Sequence, residues 1–421
     1  MEFNSYKLRN VLMEKGYIRG PFGSALKRSE LLQEGVPVYE QKNAIYNVRT
    51  FRYFVSKEKY EELKRFTVKP YDLLISCSGT VGRTSIITPK DPKGIISQAL
   101  LILRPDVNII NPYYLYYFFQ SKKGHNELIN RSSGSVQVNI AKRNIIENIS
   151  IDLPSISNQK KIVDFLSSLD NKINSNKNII ANLEELSQTL FKRWFVDFEF
   201  PDENGNPYKS SDGEMINSEL GEIPEGWTVK PLKEFIDIID NRGKTPPLDK
   251  KIKTHPIIDV KALGGDSRVI DYKKCLKFVS EETYNNWFRS GHPKKGDTLL
   301  STVGSIGEIK MFYYDVGTIA QNVVSLRSEN SYFTYDLINN VKSSFLTFNI
   351  GSVQPSIKIT HINKIKVVYP SKIVIENYEK MIKKLISDLY VKDLENQKLT
   401  QLRDILLPKL ISGEIEIPDD I

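Results

Sequence analysis

Between Ser157 and Trp194 the apolar residues recur at alternating spacings of three and four. Ile162, Leu169, Leu183 and Leu190 fall on one heptad position, and Leu166, Ile173, Ile180 and Trp194 on the other. Asn176 interrupts the first set near its middle, and the stretch holds no Gly or Pro. The pattern predicts a coiled-coil helix of about five heptads, about 55 Å long at ~1.5 Å per residue. Ile373 to Leu407 carries a second seam. Tyr378, Leu385, Leu399 and Leu406 mark one position and Ile382 and Leu389 the other, with Lys392, Asn396 and Arg403 interrupting. If the two helices pair antiparallel, Asn176 lies near Lys392 and Asn396, and a polar layer fixes register at some cost in stability. Alternatively, the mid-coil faces solvent or a partner subunit.

The rest of the chain follows another pattern, and follows it twice. Val36–Glu40, Leu73–Cys77, Ser85–Ile87 and Ala99–Leu103 are short apolar runs between turn signals and predict strands. Asn111 and Pro112 predict the cap and first residue of a helix over 112–120. In the second half, Asp297, Leu299, Ser301, Gly304 and Gly307 repeat Asp72, Leu74, Ser76, Gly79 and Gly82 without a gap. Phe54–Tyr60 matches Phe278–Tyr284, Val36–Lys42 matches His255–Lys261, Ile18-Arg19-Gly20 matches Asn241-Arg242-Gly243, and Gly134–Gln137 matches Gly351–Gln354. The expected division is a mixed α/β (α+β) module over 1–155, a long helix over 156–196, a linker over 197–226, a second module over 227–370 and a second long helix over 371–413. In the linker, Gly and Pro break any regular element, and Asp202–Asn206 predicts a turn, because Pro207 stands where a calcium loop needs glycine. A unit repeated once builds a pseudo-dimer, and duplex DNA is the commonest ligand of two-fold character.

Composition narrows the partner. Lys and Arg exceed Asp and Glu by 59 to 51, a formal charge of +8 with no long run of one sign. That suits a polyanion. Two cysteines, Cys77 and Cys275, exclude a disulfide scaffold and fit a reducing cytoplasm. No apolar stretch predicts a membrane span, and the N-terminal residues show no signal peptide.

Catalytic patterns fail in turn. Arg242-Gly-Lys-Thr245 imitates the end of a P-loop, but Ile238 replaces its upstream glycine and Pro246-Pro247 block the receiving helix. The four histidines have no ligand spacing. Binding chemistry is better represented. Arg19, Ser24 and Lys27 in one loop answer to Arg242, Lys244 and Thr245 in its copy; arginine reads guanine bidentately, and lysine and serine contact phosphate or base. Lys42 and Asn43 answer to Lys261 and Ala262, a shared phosphate contact beside a divergent reader. Arg83 follows the first glycine loop, whose small residues allow either close approach to a phosphate or a tight turn between buried strands. Lys142 and Arg143, with Lys358 opposite, complete the DNA-binding candidates.

These residues together resemble the specificity (S) subunit of type I restriction-modification systems over nearly the whole chain. The markers are the paired Gly-x-x-Gly loops, the two Gly-Ser-Val-Gln segments, Leu153-Pro154 ahead of Asn158-Gln159, Leu190–Phe198, Gly221–Trp227 and the ending Leu407–Glu414. Two departures stand out: Glu376-Asn377 near the place of Asn158-Gln159, and Glu308 in the place of Arg83. The resemblance implies duplicated α/β target recognition domains separated by an antiparallel coiled coil of two long helices, in pseudo-two-fold arrangement. It implies a non-catalytic, cytoplasmic DNA-recognition subunit for DNA methylation and phage defence. Each domain would read half of a bipartite asymmetric site in double-stranded DNA, and the helices would set the spacer. Two methyltransferase (modification) subunits and motor-nuclease (restriction) subunits are the implied partners. They would carry the S-adenosylmethionine, ATP and magnesium, with no cofactor in this chain. The alternatives are an enzyme with fused methyltransferase or nuclease activity, and a coiled-coil scaffold without DNA readout.

Overall fold

The computed structural model describes residues 2–129, 140, 142–243, 245–251, 253–350 and 355–418. They form two compact units, Met1–Ile173 with Gln397–Ile421 and Asn174–Asn396.

The first unit is built on four strands: β1 (Leu12–Arg19), β2 (Leu73–Ser76), β3 (Thr84–Ile86) and β4 (Leu100–Pro105). They lie in the order β1-β4-β2-β3, all neighbours antiparallel. All four residues of β2 are buried, and Leu73, Leu74 and Ile75 form an unbroken apolar run because both faces of the sheet are covered. Leu73, Ile75, Leu101 and Leu103 face a core shared with the helices. Leu74, Leu100 and Ile102 face a second core, closed by a small sheet of Phe54–Val55, Val36–Tyr39 and Ile95–Ile96. Helix α1 (Pro112–Gln120) starts where its sequence predicts, with Asn111 Oδ1 accepting from the Tyr113 N–H at 2.9 Å. Its aromatic run is core: Tyr114, Leu115, Tyr117, Phe118 and Phe119 are buried.

The long helix α2 runs over Ile156–Phe195. Its first part belongs to this unit, where Ile162, Val163 and Leu166 pack with Leu407, Leu410 and Ile411 from the end of the second long helix. Asp170 and Arg403 close that contact with an ion pair of 2.8 Å, and Tyr117 donates to the same Asp170 at 2.7 Å.

The second unit repeats the plan. Strands β5 (Asp237–Ile239), β6 (Thr298–Ser301), β7 (Ile309–Met311) and β8 (Val323–Arg327) lie in the order β5-β8-β6-β7. Helix α3 (Ser331–Asn340) follows β8. The second long helix, α4, spans Lys372–Ser412. It passes Leu407, where the apolar pattern ends, and continues through Pro408, which forgoes one backbone hydrogen bond. Within this unit the helices are antiparallel: Asn176 lies by Glu395, and Trp194 by Tyr378. Asn176 Nδ2 and Lys392 Nζ both donate to Glu395 Oε2, at 3.0 and 3.1 Å, so the polar layer exists and its acceptor is Glu395. Of the seam residues, Ile162, Leu166, Ile173, Trp194, Tyr378, Ile382 and Leu389 are buried; Leu169, Ile180, Leu183, Leu190, Leu385, Leu399 and Leu406 are half-buried. Glu184, Ser187, Phe191, Ile386 and Tyr390 are buried off the predicted seam, because each helix also packs against a module.

One buried cluster has no counterpart in the periodicity. The fully buried Arg268 donates to Glu184 at 2.9 Å, to Ser187 at 2.8 Å and to Asp336 at 3.2 Å, and Tyr378 donates to Asp336 at 2.9 Å. It binds the second module to α2 and α4.

The linker is more ordered than expected. Met215–Ser218 pairs with Gly221–Pro224 as an antiparallel hairpin, and Phe200 stacks on Tyr208 and Trp227, with centroids 4.6 and 5.0 Å away. Asp202 Oδ1 accepts the N–H groups of Asn204 and Asn206, both at 2.8 Å, so this segment is a turn.

Candidate nucleic-acid interface

In each unit one end of the four-stranded sheet gathers the loops that carry the predicted contacts. Arg19 and Ile75 both pair with Leu101, so β1 and β2 end in one row. The 20–27 loop, the 77–83 loop and the Ser97–Ala99 turn into β4 therefore share that end. Ile140 joins them, its N–H donating to Cys77 O at 2.8 Å. The second unit has the same arrangement. Ile239 and Leu299 both pair with Ser325, and the Ile357 N–H donates to Thr302 O at 2.9 Å.

The framework under these loops is duplicated with the same chemistry. Asp72 is fully buried; Arg104 donates to its two oxygens at 2.7 and 2.8 Å, and the Lys69 N–H to one of them at 2.7 Å. In the copy, Arg327 and the Lys294 N–H bind Asp297 at 2.7 and 2.9 Å. Burial pushes the Asp72 carboxyl up, while Arg104 and the Lys69 N–H pull it down. The serine that follows locks each glycine loop. The Arg83 N–H donates to Ser76 Oγ at 2.9 Å, and the Glu308 N–H to Ser301 Oγ at 2.8 Å. Each hydroxyl in turn donates across its loop, to Thr80 O and Ser305 O. Gly79, Gly82, Gly304 and Gly307 take φ of +63, +80, +85 and +86°, which a side chain would strain. Of the two uses foreseen for these loops, the tight turn accounts for the glycines.

Around this framework the side chains differ. Arg19 is half-buried, against the buried Cys77, with its guanidinium 5.6 Å from the ring centroid of the exposed Phe22. Burial raises the Cys77 thiol to about 12, with Arg19 opposing, so it is no thiolate nucleophile. Arg242, its counterpart in the sequence repeat, lies two residues further along by the sheet register, where Asp240 takes the place of Arg19. It is bound through Nε to both oxygens of Asp240, at 3.0 and 2.9 Å. Gln41 begins a short helix, Gln41–Ile45, and its amide donates to Ser78 O, which brings Lys42 beside the 77–83 loop. Asn43 does not fit its predicted role as a reader of bases. It is fully buried, with its side chain bonded to Val48 O, Thr50 O and the Glu40 N–H at 2.9, 3.1 and 2.7 Å; it shapes the turn behind the helix.

Lys27, Arg83, Lys142, Thr245, Lys261 and Lys358 are exposed. Arg143 is also exposed, but is paired with Glu147 at 2.8 Å and lies 5.2 Å from the Tyr17 ring centroid. Lys244, both Gly-Ser-Val-Gln segments and the side chain of Ser24 lie outside the described residues. A pair of residues at the sheet end escaped the sequence reading: Gln98 and Gln321, at the same turn in Ser97-Gln98-Ala99 and Ala320-Gln321-Asn322. Extending the repeat past Gly307 would have found them. Among the described residues no group of His, Cys, Asp and Glu is placed to hold a metal, and no helix is long and apolar enough to cross a membrane. Both cysteines are free and buried.

A family model, the type I restriction modification DNA specificity domain, matches residues 22–185 and 224–404. The chain belongs to the family of type I restriction-modification specificity subunits. Each match begins within a module or at its edge and ends in the long helix that follows, so the family's repeated domain is the module with its helix. Curated relatives agree. The chain is 26% identical over 393 residues to the type I restriction enzyme MjaIX specificity subunit of Methanocaldococcus jannaschii, covering 89% of this chain and 86% of the relative. It is 23% identical to the HindI specificity subunit of Haemophilus influenzae, covering 76% and 81%. The fold is that of the crystallised type I restriction-modification S subunit from M. genitalium: TM-score 0.57, 15% identity, 97% of this chain and 96% of that one. This specificity subunit is thus a DNA sequence-recognition component and not an enzyme.

Proposed function

We propose that each module reads one half of a split, asymmetric site in double-stranded DNA. Reading falls to the loops at the sheet end, over a few base pairs of major groove. The long helices set the gap between the halves and dock two methyltransferase subunits, and motor-nuclease subunits complete the assembly in the cytoplasm. S-adenosylmethionine, ATP and magnesium belong to those partners. One observation carries the division into two readers. The same Asp–Arg, Ser–Gly framework supports both sets of loops, while the side chains on them diverge: Arg19 over Phe22 against Arg242 on Asp240, and Arg83 against Glu308. A repeated scaffold with unlike edges suits two unlike half-sites. Exposed apolar residues on α4 (Val391 at 57%, Leu402 at 44% and Ile405 at 59%) support docking of a partner along the helices.

A heptad inserted into each long helix tests the spacing role. It adds about 10 Å of helix, about three base pairs of duplex. Methylation mapping of the complex should return the same two half-sites with a spacer longer by about three. An unchanged spacer, with methylation retained, would refute it.

A further inference from the structure

The two glutamines missed by sequence occupy one structural position but differ in what they bind. Each lies in the turn entering the central strand β4 or β8, and each turn is tied to the glycine loop, by the Cys77 N–H on Ala99 O and the Thr302 N–H on Asn322 O, both at 2.9 Å. In the second unit the Gln321 amide donates to Gly243 O at 2.8 Å, which fastens the turn to the Arg242–Gly243 loop. In the first unit backbone contact does that work. The Gly20 N–H donates to Leu100 O at 3.0 Å, and a Cβ on Gly20 would meet Ser97 O at 2.0 Å and Gln98 Cα at 3.0 Å. Only glycine lets the two chains cross so closely. Gln98 is exposed and makes no hydrogen bond to any described residue. It stands between the Arg19–Gly20 crossing and the Cys77–Arg83 loop.

We infer that Gln98 is a specificity-determining residue, reading an adenine in the half-site of the first module, and that Gln321 is a positioning residue that holds its module's loop. This rests on the proposal that each module reads one half-site. A carboxamide offers a donor and an acceptor side by side, the complement of the adenine N7 and N6 edge in the major groove. A Gln with no partner among the described residues keeps both groups for the duplex, whereas Gln321 already spends one of its two N–H donors, and with it the orientation of its amide, on Gly243 O. The repeat keeps the residue, and the packing around it decides its use.

The test uses the complex with its methyltransferase and a duplex carrying the mapped wild-type motif, with each base pair of both halves replaced in turn. Gln98→Ala should lose about ten- to a hundredfold of discrimination at one A·T pair of one half and none in the other. Gln98→Glu should turn the preference at that pair toward C·G, since a carboxylate accepts from the cytosine amino group. Gln321→Ala should weaken several positions of the opposite half together. Thermal unfolding of Gln98→Ala should match wild type, because the side chain is exposed and bonds to no described residue. Uniform weakening across all duplexes, with a salt slope shallower by about one, would make Gln98 a phosphate contact and overturn the inference. Unchanged discrimination in both Gln98 variants would overturn it as well. A wild-type complex without a split motif would instead bring down the two-reader proposal itself.

Discussion

The two units solve one packing problem with the polar roles exchanged. In the first, α1 contributes a phenol, Tyr117, and the long helix a carboxylate, Asp170. In the second, α3 contributes a carboxylate, Asp336, and the long helix a phenol, Tyr378. Tyr117 and Asp336 are equivalent, six residues after Asn111 and Asn330. The second unit then needs a cation, and the fully buried Arg268 supplies it by joining Asp336 to Glu184. Likewise Gln159 accepts from the Asn111 N–H at 2.8 Å, while Glu379 accepts from the Phe333 N–H at 2.8 Å. The long helix thus gives one module helix a neutral acceptor and the other an acidic residue. The duplication preserved the strand framework and let the side-chain chemistry around it diverge, both where modules meet helices and on the loops at the sheet end.

The largest expected effect breaks this comparison. Arg268→Met strands Glu184 and Asp336 without a cation and should cost about 4 kcal/mol, the usual scale for opening a buried pair from one side. Calorimetry of the whole chain should show the loss in the second unit, with hydrogen exchange in the first unchanged. Equal loss in both would mean that the units do not fold as described. A smaller effect sharpens the comparison. Asp72→Ala and Asp297→Ala remove the same framework carboxylate, and each should destabilise its own unit by about 2 to 3 kcal/mol. Asp72→Ala should cost more, because Arg104 is 16% exposed and Arg327 29%.

The smallest effect concerns pH. Burial raises Glu379 to about 7. A folded value above the unfolded one, about 4.3, means that the native state holds the extra proton between them. This contribution to stability is complete below pH about 4.3 and is lost as pH rises through about 7. Glu379→Gln keeps the acceptor for Phe333 and removes the charge. Melting curves from pH 4.5 to 7.5 should show wild type falling relative to the variant; parallel curves would show that Glu379 is not raised.

Much of the architecture was legible because it rests on periodicity. The helix seams, the Asn111 cap and the strand runs around Leu74 and Leu299 are local patterns with one structural solution. The polar layer at Asn176 was legible as a break in the seam, while its acceptor, Glu395, and the antiparallel pairing within the second unit are seen in the structure. Burial off the seam was not legible. Ser187, Glu184 and Tyr390 are buried by modules packed against the helices, contacts between residues distant in sequence. The candidate site was only partly legible for the same reason. Asn43 and Lys42 are neighbours in sequence, but the short helix turns one into the core and leaves the other beside the loop. Arg19 and Arg242 share the Arg-Gly pair, and what each guanidinium meets, the Phe22 ring or the Asp240 carboxylate, was visible only in the structure. Gln98 and Gln321 required both the repeat and the hydrogen bonds.

The most direct test of two separate readers is methylation mapping of the complex after exchanging one module at a time, residues 1–155 or 227–370, for that of a related specificity subunit. The account predicts a split motif in which exchanging one module rewrites one half and leaves the other half and the spacer as they were. If either exchange rewrites both halves, or if the site proves short and continuous, recognition is not divided between the modules and the account is wrong.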